Sequence, residues 1–75
     1  MTHIVMIPYR AYILDGAGDI LLGEELEANN DAAAVTAGWE IVALYAALLD
    51  GTLPPAQGVE LWDARRLVFS THPRG

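Results

Sequence analysis

Residues 32–49, "AAAVTAGWEIVALYAALL", contain a single charged residue, Glu40. The segment predicts one long helix, because Asn30 or Asp31 can cap its first turn and Gly51 can end it in the left-handed conformation. Most surface helices keep a polar face toward water. A helix this poor in polar residues needs cover around most of its circumference, and this need constrains the rest of the fold.

Strand patterns flank the helix on both sides. Residues 9–14, "YRAYIL", are rich in aromatic and β-branched types, and "DGAGD" follows as a tight turn. Residues 20–28, "ILLGEELEA", read as the returning strand, although Glu24 interrupts its alternation; a bulge near Gly23 would restore it. After the helix, "VELWD" and "LVFST" surround "ARR" and predict a second hairpin.

These elements predict an α+β fold, a two-layer ββαββ arrangement with a four-stranded, mostly antiparallel sheet and one long helix on one face. We expect a single domain over residues 1–75, with strand order 2-1-3-4. Residues 1–7 are expected to form a loosely ordered extension, since Met6 is an alternative initiator. The predicted core of the sheet consists of Tyr9, Ala11, Ile13, Leu22, Leu26, Val59, Leu61, Leu67 and Phe69.

The helical wheel shows two apolar stripes. The first has the spacing of a face that lies on a core: Ala34, Ala37, Gly38, Ile41, Leu44, Tyr45 and Leu48. The second has the spacing of a helix that packs on another helix: Val35, Trp39, Val42, Ala46 and Leu49. One sheet face covers one stripe, so the second stripe requires another partner.

We predict that the second stripe forms the interface of a homodimer, because two-fold pairing is the commonest form of self-association. The alternative is that residues 1–7 or the C-terminal tail fold over it. A chain of 75 residues buries only about 60% of the surface that its unfolded form exposes, and small domains often gain stability from a second copy. There is no cysteine, which excludes disulfides and thiolate metal sites.

The formal net charge is −6, from ten acids and four arginines with no lysine. Such a chain is a poor partner for nucleic acid, whose phosphates attract basic surfaces. We expect a cytoplasmic protein, because the N-terminus lacks the basic and apolar regions of a signal peptide. Membrane insertion of residues 32–49 is disfavoured by Glu40 at their centre and by acidic flanks.

The sheet face away from the helix is a second candidate surface. Arg10, Tyr12, Leu14 and Trp62 are predicted to lie there. Exposed aromatic side chains on a four-stranded sheet can stack on nucleotide bases or hold a small ligand. Such rings more often form a second protein contact or shield the sheet, and the negative charge with no lysine argues against RNA.

No motif predicts catalysis, a cofactor or a metal. "DGAGD" lacks the further carboxylates of a calcium loop and is interpreted as a plain turn, and the acids of "GEELE" are interpreted as a solvated strand face. His3 and His72 lie near the termini. Ser70 shares a strand face with His72, but no acid or oxyanion hole is evident beside them. We therefore do not expect an enzyme.

Short motifs along the chain resemble a family of small bacterial ββαββ proteins, a domain-of-unknown-function family. The matching motifs are Tyr9-Arg10, Leu14-Asp15, residues 24–27, residues 31–34, residues 60–62 and residues 66–68. The resemblance implies a bacterial origin and the ββαββ layout, and it implies no activity. The long helix and the "DGTLPPAQG" loop depart from the family pattern. Together these features predict a homodimeric protein-interaction module, with ligand or nucleic-acid binding on the open sheet face as the alternative.

Overall fold

The computed structural model describes residues 5–48 and 56–71. Strands β1 (Ile7–Leu14) and β2 (Ile20–Ala28) precede helix α1 (Asp31–Leu48), and strands β3 (Gly58–Trp62) and β4 (Leu67–Ser70) follow it. All pairings are antiparallel, and the sheet order is β2-β1-β3-β4. The predicted α+β fold and its strand order are therefore confirmed.

The β1–β2 hairpin closes through its own aspartate. Asp15 Oδ1 accepts hydrogen bonds from the backbone N–H groups of Ala17 and Asp19, each at 2.9 Å. Gly18 adopts a φ of 88°, which lies in the left-handed region where side chains with a Cβ are disfavoured. The interpretation of "DGAGD" as a turn is confirmed.

Strand β2 contains no bulge at Gly23, contrary to the prediction. The register runs without interruption from the Ile7 and Ala28 pair to the Ile13 and Leu22 pair, and the irregularity lies between Ile13 and Leu14. Glu24 stays on the helix side of the sheet. The hydroxyl of Tyr45 donates a hydrogen bond of 2.8 Å to its carboxylate, so the helix itself supplies the polar partner.

Helix α1 begins with a side-chain cap. Asn30 Oδ1 accepts a hydrogen bond from the N–H of Ala33 at 2.8 Å, which satisfies one of the unpaired donors of the first turn. Asp31 is the first helical residue, and its carboxylate accepts a hydrogen bond from the Tyr9 hydroxyl at 2.8 Å. Of the two predicted capping residues, Asn30 forms the cap and Asp31 joins the helix to β1.

The helix lies on the sheet along a line between the two predicted stripes. Ala34 and Gly38 from the first stripe and Val42 from the second are buried together. Leu44, predicted to face the sheet, is 56% exposed. An ideal Cβ on Gly38 would lie 3.4 Å from Val59 Cγ2, so this turn of the helix contacts β3 closely. The sheet thus covers the inner half of each stripe.

The core agrees with the prediction except at one sheet position. Tyr9, Ala11, Ile13, Val59 and Leu61 are buried, and Leu22, Leu26 and Phe69 pack against them partly buried. The assignment of Leu67 to the core is wrong, since this side chain is 43% exposed. A register shift between Leu61 and Trp62 pairs Trp62 with Leu67, so the alternation of β4 is interrupted there.

In the described part of the chain, no helix is both long enough and apolar enough to cross a membrane.

Candidate functional site

The side of α1 that points away from the sheet is the first candidate binding surface. We call it the outer helix face and define it by its exposed residues: Ala32, Thr36, Trp39, Glu40, Ala43, Leu44, Ala46 and Ala47. Trp39 is 41% exposed and Leu44 is 56% exposed, one on each flank of the alanines. Thr36 and Glu40 are the polar members of this surface. The outer helix face is therefore mostly apolar and, at its centre, flat.

The five residues predicted for the dimer interface do not share one environment. Val42 is buried against the sheet at 7% exposure, and Val35 packs partly buried on the same core. Trp39 and Ala46 are exposed, whereas Leu49 lies outside the described residues. Val42 is therefore satisfied within a single chain, which corrects its assignment to a contact between copies.

Trp39 reaches over the edge of the sheet. Its ring meets that of Phe69 on β4 edge to face, with centroids 6.3 Å apart and an interplanar angle of 66°. Such a geometry suits the opposite charges of ring faces and ring edges. The contact holds the indole in place, so its exposed part forms an ordered apolar surface beside the alanines.

The second candidate surface is a shallow groove on the other side of the sheet. We call it the sheet-face groove; its volume is about 1050 Å³. The residues that line it include Pro8, Arg10, Tyr12, Glu25, Glu60 and Trp62. Three of the four predicted ligand-face residues, Arg10, Tyr12 and Trp62, line this groove. Leu14 is fully buried at 0% exposure, so it offers no surface to a ligand, and its assignment to the ligand face is wrong.

Cross-strand neighbours fix the groove side chains. Arg10 pairs with Glu25 of β2 on one side and with Trp62 of β3 on the other. Its Nη2 lies 2.8 Å from Glu25 Oε1. Tyr12 pairs with Gly23, and its Cε1 lies 3.3 Å from where a Cβ on that glycine would stand, so the ring lies over the bare backbone of β2. The strand register thus arranges charged and aromatic side chains side by side.

Glu60 forms part of the groove floor. It pairs with Tyr12 in the sheet and is 5% exposed. Its Oε1 accepts a hydrogen bond of 2.8 Å from Trp62 Nε1. Burying a carboxylate is costly unless hydrogen bonds replace its water, and the indole N–H meets part of that need. The same bond fixes the orientation of the Trp62 ring along the groove.

Acidic side chains predominate around the groove. Glu25, Glu27, Glu60 and Asp63 contribute carboxylates, and Arg10 is the cation of the lining within the described part of the chain. Glu25 is neutralised by Arg10. Glu27 is exposed and forms no ion pair or hydrogen bond with another side chain of the described residues. The groove therefore combines aromatic rings with an excess of negative charge.

A polar network joins the β3–β4 hairpin to the helix start, and sequence analysis did not anticipate it. Arg66 Nη2 lies 2.8 Å from Asp31 Oδ2, and Arg66 Nε lies 3.0 Å from Asp63 Oδ2. Hydrogen bonds from Arg66 and then Tyr9 lower the pKa of Asp31. The backbone N–H of Arg65 is the largest cause that lowers the pKa of Asp63. Only the sequence separation of 35 residues between Asp31 and Arg66 hid this contact.

Residues considered for catalysis or metal binding do not form a site within the described residues. His3 and His72 lie outside them. No group of three or more histidine, aspartate or glutamate side chains in the described ranges is placed to hold a metal ion. The acids of "GEELE" separate instead: Glu24 faces the helix and Glu25 pairs with Arg10.

Comparisons with known proteins gave no matching family model, no similar curated protein and no similar solved structure.

Proposed function

We propose that this chain is a cytoplasmic, non-catalytic protein-interaction module that forms a homodimer through its outer helix face. The observation that supports the proposal most strongly is the composition of that face, where Trp39 and Leu44 stand exposed on either side of a row of alanines. Contiguous apolar surface on a folded domain usually marks an interaction site.

The chemistry of the outer helix face suits a second copy. Small alanine side chains let two helices approach closely, and a two-fold axis brings identical patches together. Full burial of a side chain such as Leu44 is worth roughly 1.5–3 kcal/mol. Of the predicted stripe, the proposed interface keeps Trp39 and Ala46 and omits Val35 and Val42. It adds the other residues of the outer helix face, of which Leu44 is the largest apolar one.

The experiment is light scattering coupled to size-exclusion chromatography over a range of micromolar concentrations. The wild-type chain should elute at about twice its monomer mass of 8.1 kDa, and Leu44→Glu should elute at the monomer mass with an unchanged circular dichroism spectrum. Leu67→Glu is the matched control, because Leu67 is also exposed but lies on β4. A monomeric wild-type chain, or a monomer produced equally by both variants, would refute the proposed interface.

A second candidate function is ligand binding in the sheet-face groove. The specific observation in its favour is the placement of Tyr12 and Trp62 beside Arg10 in one groove. Single-stranded RNA, which binds aromatic sheet surfaces in other folds, is a poor fit because the carboxylates of Glu27 and Glu60 would repel its phosphates. The groove lies on the side of the sheet away from helix α1, and the outer helix face lies on the side of α1 away from the sheet. The two candidate functions therefore use separate surfaces and are independent.

A further inference from the structure

We propose that the sheet-face groove binds a basic, extended segment of another protein, with arginine or lysine side chains lying on Tyr12 and Trp62. The inference rests on the second candidate function above, ligand binding in this groove, and adds the chemical class of the ligand. It does not depend on self-association through the outer helix face.

Charge complementarity selects the occupant. Among the residues that the structure describes, the lining has the carboxylates of Glu25, Glu27, Glu60 and Asp63 and the guanidinium of Arg10. Glu25 and Arg10 neutralise each other at 2.8 Å, and Asp63 is paired with Arg66. Glu27 is left as an exposed carboxylate at the rim with no cation of the described residues beside it. A cationic ligand meets attraction here, whereas a second copy of this acidic chain meets repulsion.

The aromatic rings of Tyr12 and Trp62 are the second feature of the groove that favours a cationic ligand. Trp62 is held by its hydrogen bond to Glu60, and Tyr12 lies over Gly23. Cations within about 6 Å of such ring centroids are attracted to the ring faces, and arginine also stacks flat on them. Carboxylates at the rim and aromatic faces on the floor are the combination that recognises an organic cation.

The shape of the groove favours a polypeptide over a small molecule. The groove is shallow and open, and it spans β1, β2 and β3, whereas small-molecule pockets bury most of the surface of their ligand. The register places Arg10 and Trp62 between Tyr12 and Glu27, so an extended peptide along the groove can place one side chain on Tyr12, the next on Trp62 and another beside Glu27.

Hexa-arginine amide is the probe, measured against the intact protein by calorimetry and by NMR at low salt. The indole N–H signal of Trp62 should shift on titration, and that of Trp39, on the outer helix face, should stay in place. Glu27→Gln should weaken binding about two- to fivefold, the effect of one exposed ion pair. Glu40→Gln removes the same charge from the helix and should leave the affinity unchanged.

The possible results test two claims separately: that the groove is a binding site, and that its ligand is cationic. If hexaglutamate, a neutral Gly-Ser hexapeptide or a single-stranded RNA shifts the Trp62 indole more strongly than hexa-arginine, the groove is a binding site but the cationic class is wrong. Equal weakening by Glu27→Gln and Glu40→Gln would trace the attraction to overall charge and overturn the proposal. Absence of binding at low salt would overturn it as well.

Discussion

Short polar side chains bond to nearby backbone at each place where the described chain changes direction. Asp15 accepts from the backbone of the β1–β2 turn, Asn30 from the first turn of α1, and Asp63 from the N–H groups of Arg65 and Arg66. Each bond satisfies a donor that regular structure leaves free. These residues therefore fix where elements end, and the elements in turn position both candidate surfaces.

Gly18 is the residue at which the turn allows least change. Its φ of 88° places a Cβ in the left-handed region, which costs an ordinary L-residue about 1–2 kcal/mol. Gly18→Ala should lower the free energy of unfolding by roughly that amount, measured by urea denaturation. Gly18→Asn is the control, because asparagine tolerates this region better, and it should lose less. Equal losses in both variants would show that the backbone angle is not the cause.

The elements themselves could be predicted from local pattern, because the alternation of side chains along β1 and the glycine turn after it carry enough information. The turn sequence from Asp15 to Asp19 predicts the first hairpin. Every second residue of β1, namely Tyr9, Ala11 and Ile13, lies in the core as expected. The rotation of the helix could not be predicted, since two apolar stripes compete and the helix lies on the sheet between them, in contact with β1, β2 and β3. The groove residues Arg10, Tyr12 and Trp62 followed from alternation alone.

Other features depend on contacts between distant parts of the chain. The irregularity at Leu61 and Trp62 exposes Leu67, and no local signal in "LVFST" reveals it. Glu24 looks misplaced in its strand until the hydroxyl of Tyr45 is seen to donate to it from the helix. Leu14 continues the alternation of β1 in sequence, but it follows the irregularity after Ile13 and is buried.

The helix and the sheet pack closely at Gly38, but there is still room for one methyl group. A Cβ there would lie 3.4 Å from Val59 Cγ2, an ordinary van der Waals distance. Gly38→Ala should therefore stabilise the protein, by up to the roughly 1 kcal/mol that separates the two residues in helix propensity. Gly38→Leu should destabilise it, because the longer side chain overpacks the same space. Thermal denaturation of both variants measures the difference, and a loss of stability in Gly38→Ala would contradict the geometry.

The polar network of Asp31, Asp63 and Arg66 makes the contact between the β3–β4 hairpin and helix α1 sensitive to pH. The pKa values of Asp31 and Asp63 lie below their ordinary value of 3.8 in the folded chain. Between the ordinary and the lowered pKa values, the unfolded chain therefore binds more protons than the folded chain. The stabilisation from these two carboxylates is present above the ordinary pKa and is lost as pH falls through the lowered pKa values.

Arg66→Gln tests this network, because it removes the cation that pairs with the carboxylates of Asp31 and Asp63. The variant should be less stable at neutral pH, and its stability should fall less steeply between about pH 5 and pH 2, as followed by denaturant unfolding at several pH values. Arg65→Gln is the matched control, because it deletes the same charge while its backbone N–H still donates to Asp63. Identical pH profiles for the two variants would show that overall charge, rather than this network, governs acid stability.

At the scale of the whole molecule, the two candidate surfaces differ in chemistry. The outer helix face is mostly apolar and includes Glu40, and the sheet-face groove is aromatic and acidic. The chain has a net charge of −6, so bringing two copies together concentrates negative charge, whereas bringing a basic segment to the groove reduces it. Salt should therefore act on the two associations in opposite directions.

Raising the salt concentration should strengthen the homodimer and weaken hexa-arginine binding. The distance over which charges act falls from about 30 Å at 0.01 M salt to about 3 Å at 1 M, so repulsion between the two copies and attraction of the peptide both fade. Sedimentation equilibrium and calorimetry in the same buffers measure the two dissociation constants. Glu40→Gln should reduce the salt dependence of the dimer alone, because Glu40 lies on the outer helix face and Glu27 does not. A dimer that dissociates as salt rises would indicate ion pairs across its interface, and the apolar contact through Trp39 and Leu44 would have to be abandoned.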